Sequence, residues 1–276
     1  MSAEVSPKSP ASIAPPKPHL FAFFGLVVAF SIPLWIAGQL TGWQLVPGLP
    51  LAATGAFCPA LAAAILTLWE SGRKGLKTLL SRAGDYRRVR DKRWYLVGVL
   101  LIPAILLITW LATPIFGLPL PSPEFAPLET AFLAVAFFVA AEGEELGWSA
   151  YATDPMQARW GSLEASLLLG TFWAGWHVIP YFQAGHTPSW VLWQCIGTVA
   201  LRVIMVWGYN GSGKSVFVLV LMHMMINVGE FPFPNYTMAY NPEISGVLFV
   251  LVAAGIVMFF GRRTPTPGSG RPHPPA

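Results

Sequence analysis

The sequence predicts an all-α polytopic membrane protein of about eight transmembrane helices with both termini cytoplasmic. Three observations lead there. Apolar residues make up 54% of the 276 positions and charged residues only 11%, which is outside the range of an ordinary soluble domain. The apolar residues fall in runs close to the roughly 20 residues a helix needs to cross a bilayer. The basic residues are unevenly placed: nine of the 17 Lys and Arg lie between Arg73 and Arg93, as expected of a cytoplasmic loop.

The elements follow in order. Residues 1–19 are rich in Pro and Ser and read as a disordered cytoplasmic N-terminus. The apolar stretch after them is too long for a signal-peptide core and has no clear small-residue cleavage site, so it reads as an uncleaved first span. Spans are expected at 20–40, 49–69, 94–116, 127–149, 163–182, 189–207, 215–229 and 244–260, the seventh being short. Together they form a single transmembrane domain over 20–262, followed by a disordered Pro- and Gly-rich tail over 263–276.

With the Arg73–Arg93 loop inside, Lys8, Lys17, Arg159, Lys214, Arg262, Arg263 and Arg271 fall on the same side, while Glu124, Glu129, Glu230 and Glu243 fall opposite. Arg202 alone lies within a span, the sixth, near its inner end. The basic balance therefore reports orientation in a cell membrane. No aromatic-basic interleaving or nucleic-acid module accompanies it, and no nucleic-acid partner is expected. Cys58 and Cys195 both lie in spans and indicate no disulfide framework.

Residues Gly208 to Ser215, GYNGSGKS, match the phosphate-loop pattern G-x-x-x-x-G-K-S. That motif works between a β-strand and a helix of an α/β fold. Here it joins two spans, so it reads as a tight inner turn anchored by Lys214, with no ATP bound.

Five polar side chains sit inside apolar segments: Glu144, Glu145, His177, His223 and Asn227. A charged group at membrane depth costs about 2.5–3.5 kcal/mol on insertion scales, so such residues mark function by default. Glu144 and Glu145 are adjacent, ~100° apart around a helix, and cannot both aim at one centre. One can face a cavity while the other bonds a neighbouring helix. The competing reading places Glu142, Glu144 and Glu145 in the inner interface, solvated, with Trp148 as an interfacial marker. Trp173 and His177, and His223 and Asn227, are each spaced i,i+4 and share a helix face.

A carboxylate beside an imidazole in a poorly solvated cavity can take a proton from water. A second His with an Asn can donate hydrogen bonds to a developing oxyanion. These parts suit water attack on a carbonyl. Ser149 and Ser162 are read as lacking a base at helical spacing, which disfavours an acyl-enzyme. Two His and a Glu (Glu144, His177, His223) could also hold a divalent metal such as Zn²⁺ with an open position. No H-E-x-x-H is present, so the cofactor question stays between none and a metal.

The ordered motifs E-E-x-x-x-R, F-x-x-x-H and H-x-x-x-N, each in a span over about 125–230, resemble those of the CPBP family of intramembrane proteases. That family includes the type II CAAX prenyl endopeptidases and relatives linked to bacteriocin processing or immunity. The resemblance implies that Glu144 activates water with His177, that Glu145 supports it, and that His223 and Asn227 hold the oxyanion. It also implies a membrane-associated or prenylated peptide or protein as substrate. Two positions depart from the pattern: Ser149 stands where the motif has Arg, and Trp173 where it has Phe. Arg202 could supply the missing cation from span six, or could snorkel to the inner surface. The alternatives to an endopeptidase are a catalytically silent scaffold or immunity protein and a proton-coupled transporter. Against the transporter, the halves show no repeat symmetry.

Overall fold

The computed structural model describes residues 18–46, 49–120, 127–230 and 241–261. The segments expected to be disordered at either end, and the loop bearing Glu124, lie outside these residues apart from their inner edges. Nine α-helices are present among the described residues: α1 (Leu20–Thr41), α2 (Cys58–Leu80), α3 (Arg93–Ala112), α4 (Pro127–Glu145), α5 (Asp154–Trp160), α6 (Ser162–Gln183), α7 (Pro188–Gly211), α8 (Val216–Glu230) and α9 (Pro242–Phe260). Seven lie close to expected spans, and α2 overlaps only the second half of the expected 49–69, beginning after a 3-10 turn over Leu51–Phe57 and running on to Leu80. The short α5 and the hairpin of β1 (Gln44–Val46) and β2 (Leu49–Pro50) were not legible as elements.

Among the described residues, five helical segments are long and apolar enough to cross a membrane by length and composition, and α8 is a shorter apolar helix. The expected spans α4 and α6 are helices of 19 and 22 residues whose apolar runs carry the polar residues discussed below. Large apolar side chains cover the outside: Leu128 and Phe259 are 86% and 85% exposed. Such a continuous apolar exterior would be untenable in water and is what hydrocarbon requires. The chain is a multi-pass integral membrane protein.

The connections gather at two ends. At one end, Arg82 donates to the Lys214 carbonyl, Lys214 Nζ pairs with Asp154 Oδ1 at 2.9 Å, and Glu70 Oε1 accepts from the Tyr151 hydroxyl at 2.7 Å and from the His19 backbone N–H at 3.0 Å. This end holds the basic 81–93 connection. At the other end, Gln183 Nε2 donates to the Trp35 carbonyl at 2.7 Å, near the hairpin. α2 bends at Gly72, whose φ of 62° a side chain would resist, and the following turns bear the exposed Arg73, Lys74 and Lys77.

The principal helix pairings are α6 with α7, α7 with α9, α3 with α8 and α4 with α8. α4 and the turn that follows it approach the start of α2 through two glycines. A Cβ on Gly143 would come within 2.8 Å of the Ala56 carbonyl oxygen, and one on Gly147 within 2.6 Å of the Pro59 backbone. Small residues let helix backbones approach this closely in membranes. The two glutamates between those glycines are thereby fixed in depth and direction.

Candidate active site

The α-helical turn ends at Glu145, and the chain continues as a π-helix over Leu146–Thr153. Wide turns of this kind recur at functional sites. All of its residues except Ala150 are buried, so it closes the end of the bundle beneath the glutamates. Trp148 is fully buried rather than interfacial. Its Nε1–H donates to Glu144 Oε2 at 3.1 Å. Glu144 and Glu145 are 6% and 0% exposed, which overturns the reading of a solvated glutamate cluster at these two positions.

The two carboxylates point different ways, as adjacent helical residues must. Glu144 lines a cavity of about 560 Å³. Its Oε2 accepts from two indoles, Trp148 and Trp173, the latter at 2.7 Å. Its Oε1 lies 3.7 Å from His223 Nε2. Glu145 turns away toward α7. Its two oxygens accept from Arg202 Nη1 and Nη2 at 2.9 and 3.1 Å, and Oε1 also accepts from His223 Nδ1 at 3.0 Å.

Ser149 Oγ donates to Glu145 Oε2. Ser149 thus does have a carboxylate at helical spacing, four residues back, contrary to the sequence reading. It is fully buried and absent from the cavity lining, so it stands behind the site and not in the path of a substrate. Arg202 is fully buried, and so does not snorkel.

His177 Nδ1 donates to the Trp173 carbonyl at 2.9 Å, leaving Nε2 of the neutral ring as an acceptor. His223 Nδ1 donates to Glu145, so its Nε2 is the atom presented to Glu144. His177, His223 and Asn227 all line the cavity with Glu144. The five residues singled out in the sequence therefore meet, four of them at the cavity and Glu145 behind it.

The cavity separates α4 from α6 and α7. Phe132, Val135 and Val139 form one wall, and Trp176, Tyr181 and Trp190 the other. It extends from Glu144 toward the hairpin and the α6–α7 connection, away from the basic end. Its wall includes exposed apolar side chains of α4, so it also faces the bilayer sideways. Among the described residues no group of three or more His, Cys, Asp and Glu is placed to hold a metal ion. The candidate set Glu144, His177 and His223 does not form one, and its His nitrogens Nδ1 are already engaged.

The phosphate-loop pattern is accounted for differently. α7 continues to Gly211, and the N-terminus of α8 is occupied by a carboxylate of the chain itself. Asp85 accepts from Ser215 Oγ at 2.8 Å and from the backbone N–H groups of Val216 and Phe217 at 3.2 and 3.1 Å. These are the donors a phosphate would need.

A membrane-embedded carboxylate–imidazole site at the floor of an apolar cavity has the parts that an intramembrane hydrolase requires. Comparison with known proteins narrows that class. Residues 126–229 match the family model for type II CAAX prenyl endopeptidases, Rce1-like. The chain is also 28% identical over 220 residues to CAAX prenyl protease 2 of Methanococcus maripaludis, spanning 74% of this chain and 79% of that protein. The matched region holds α4 to α8 and every site residue above. The resemblance drawn from the three motifs is borne out, and the chain is a CAAX-protease-like intramembrane endopeptidase.

Proposed function

We propose that the protein hydrolyses peptide bonds of membrane-associated substrates with a water activated by Glu144. The observation that carries this reading is the position of Glu144. Its Oε2 is held by two indole N–H groups, while Oε1 faces the cavity side beside His223 Nε2. The free oxygen takes a proton from water as the water oxygen bonds the scissile carbonyl carbon. His177, with Nε2 as acceptor, orients that water. The carbonyl oxygen, gaining negative charge, is met by the Asn227 amide and by His223 Nε2 when that nitrogen carries a proton. Collapse breaks the C–N bond, and the proton taken by Glu144 passes to the leaving amine. Water is thus added across the peptide bond without an acyl-enzyme.

Arg202 and Glu145 support this chemistry. The sequence departure at Ser149 removes a cation from the π-helical turn after α4, and Arg202 provides one from α7 at Glu145. That arrangement favours a working enzyme over a silent scaffold. The apolar walls suit an extended peptide carrying large apolar side chains or a lipid chain. A lipidated C-terminus, as the name of the Methanococcus relative suggests, is one substrate of this kind. The basic 81–93 connection favours a cytoplasmic position for its end of the bundle, which would put the glutamates nearer that side in depth.

The test is a library of membrane-associated and prenylated peptides offered to the purified protein in lipid nanodiscs, with and without chelator. Cleavage that survives chelation and is lost in Glu144→Ala and His177→Ala supports the reading. No cleavage of any member, with function in cells surviving both substitutions, would favour the scaffold.

A further inference from the structure

Trp173 touches four members of the site. Its Nε1–H donates to Glu144 Oε2 at 2.7 Å. Its ring lies 4.2 Å from Arg202 Cζ, its carbonyl accepts from His177 Nδ1 at 2.9 Å, and its edge meets the His223 ring at 5.1 Å between centroids. It is 3% exposed. In the pattern F-x-x-x-H this position is a Phe, which has no N–H to give.

We infer that Trp173 is a positioning residue that sets Glu144 and His177 in register across the cavity floor and seats Arg202 in the place left by Ser149. The inference rests on the reading of Glu144 as base, and it follows from what separates the helices. α4 and α6 are not among the principal helix pairings, because the cavity lies between them. The indole–carboxylate hydrogen bond therefore spans a gap that side-chain packing leaves open. One residue holds both partners: Glu144 by its side chain and His177 by its main chain. A shift of α6 against α4 would move both attachments together and preserve their spacing.

The same ring explains the cation. An arginine at 149 would project from the π-helical turn beside Glu145, where Ser149 now donates. Arg202 instead arrives from α7, which runs so close to α6 that a Cβ on Gly170 would lie 3.0 Å from the Arg202 Cβ. Gly170 is three residues before Trp173, so the guanidinium emerges against the indole face. There it gains a cation–π contact while both its Nη atoms engage Glu145. Trp173 and Arg202 thus act as a pair: the two departures from the motif pattern are one compensated change.

Trp173→Phe tests this, because it keeps an aromatic face for Arg202 and deletes the donor to Glu144. A hydrogen bond to a charged group corresponds to about 10- to 100-fold in rate when it serves the reacting form. The expected result is a kcat about tenfold or more below wild type, with KM changed less than about twofold, on a peptide the wild type cleaves. A space-filling role would leave kcat unchanged, and that result overturns the inference.

A second measurement does not depend on turnover. In ¹⁵N-indole-labelled protein, the resonance missing from Trp173→Phe identifies Trp173 Nε1–H. Glu144→Gln should move it upfield, and Arg202→Leu should broaden or move it through the ring contact. An indole resonance indifferent to Glu144→Gln refutes the positioning role. If wild type cleaves nothing while the indole responds, the proteolytic reading fails and the positioning of Glu144 by Trp173 stands.

Discussion

Arg202 meets both oxygens of Glu145, at 2.9 and 3.1 Å, with neither side chain exposed. A bidentate pair of this kind fixes distance and plane together. Breaking a buried pair from one side leaves an uncompensated charge and costs about 3–5 kcal/mol. Arg202→Leu is therefore expected to lower the thermal unfolding temperature in detergent and to abolish activity. Arg202→Leu with Glu145→Leu should recover much of the stability and none of the activity. Arg202→Lys keeps the charge but not the fork, and should lie between wild type and Arg202→Leu in both measurements.

The N-terminus of α8 supplies a second prediction. Asp85 reaches it from the α2–α3 connection and accepts three hydrogen bonds there. A capping carboxylate at a helix N-terminus contributes about 1–2 kcal/mol. Asp85→Ala should therefore lower stability by that order, measured by thermal unfolding. It should also reduce activity, because α8 carries His223 and Asn227. Titration with ATP and Mg²⁺ should give no binding heat, since Asp85 fills the anion position and Lys214 is paired with Asp154.

Gly147→Ala should be more damaging than its size suggests. The added Cβ would sit 2.5 to 2.6 Å from three atoms of Pro59, two of them backbone. The π-helical segment would have to move, taking Trp148 away from Glu144. The expected outcome is loss of peptidase activity with an altered proteolysis pattern near 146–153. Gly175→Ala, at a site where a Cβ meets nothing within 4 Å, should leave the fold intact and serves as the comparison.

Orientation can be tested with single cysteines at Arg90 and Leu118, both exposed and at opposite ends of α3. In intact cells a membrane-impermeant thiol reagent should label Leu118→Cys and not Arg90→Cys. The opposite pattern would invert the topology drawn from the 81–93 charges.

Much of this architecture is legible in the sequence because membrane spans advertise themselves by length and apolarity. Each expected span overlaps a helix, although α2 begins at Cys58 and runs eleven residues past the expected end at 69. The site is legible for the opposite reason: Glu144, His177, His223 and Asn227 are costly where they stand, and i,i+4 spacing shows which share a face. Arg202 was visible as the one basic residue inside a span, but its partner was not, since Glu145 lies 57 positions away. Trp148 supports the competing interfacial reading in the sequence, because composition cannot tell a tryptophan at a membrane surface from one bonded to a buried carboxylate. Ser149 reads from the sequence as a hydroxyl without a base, although Glu145 is four residues before it and accepts its hydrogen bond. The π-helix and α5 carry no periodic apolar signal, and hairpin strands of three and two residues are too short to show one.

The role of Glu144 is the central claim, and Glu144→Gln tests it most directly. The amide preserves volume, and its oxygen can still accept from Trp148 and Trp173 Nε1–H, but it cannot take a proton from water. General-base catalysis is worth about 10²–10⁴-fold. Initial rates of cleavage of one peptide by wild type and Glu144→Gln, in the same nanodiscs and with equal thermal stability, should differ by at least about a hundredfold. Turnover by Glu144→Gln within about threefold of wild type would contradict the account.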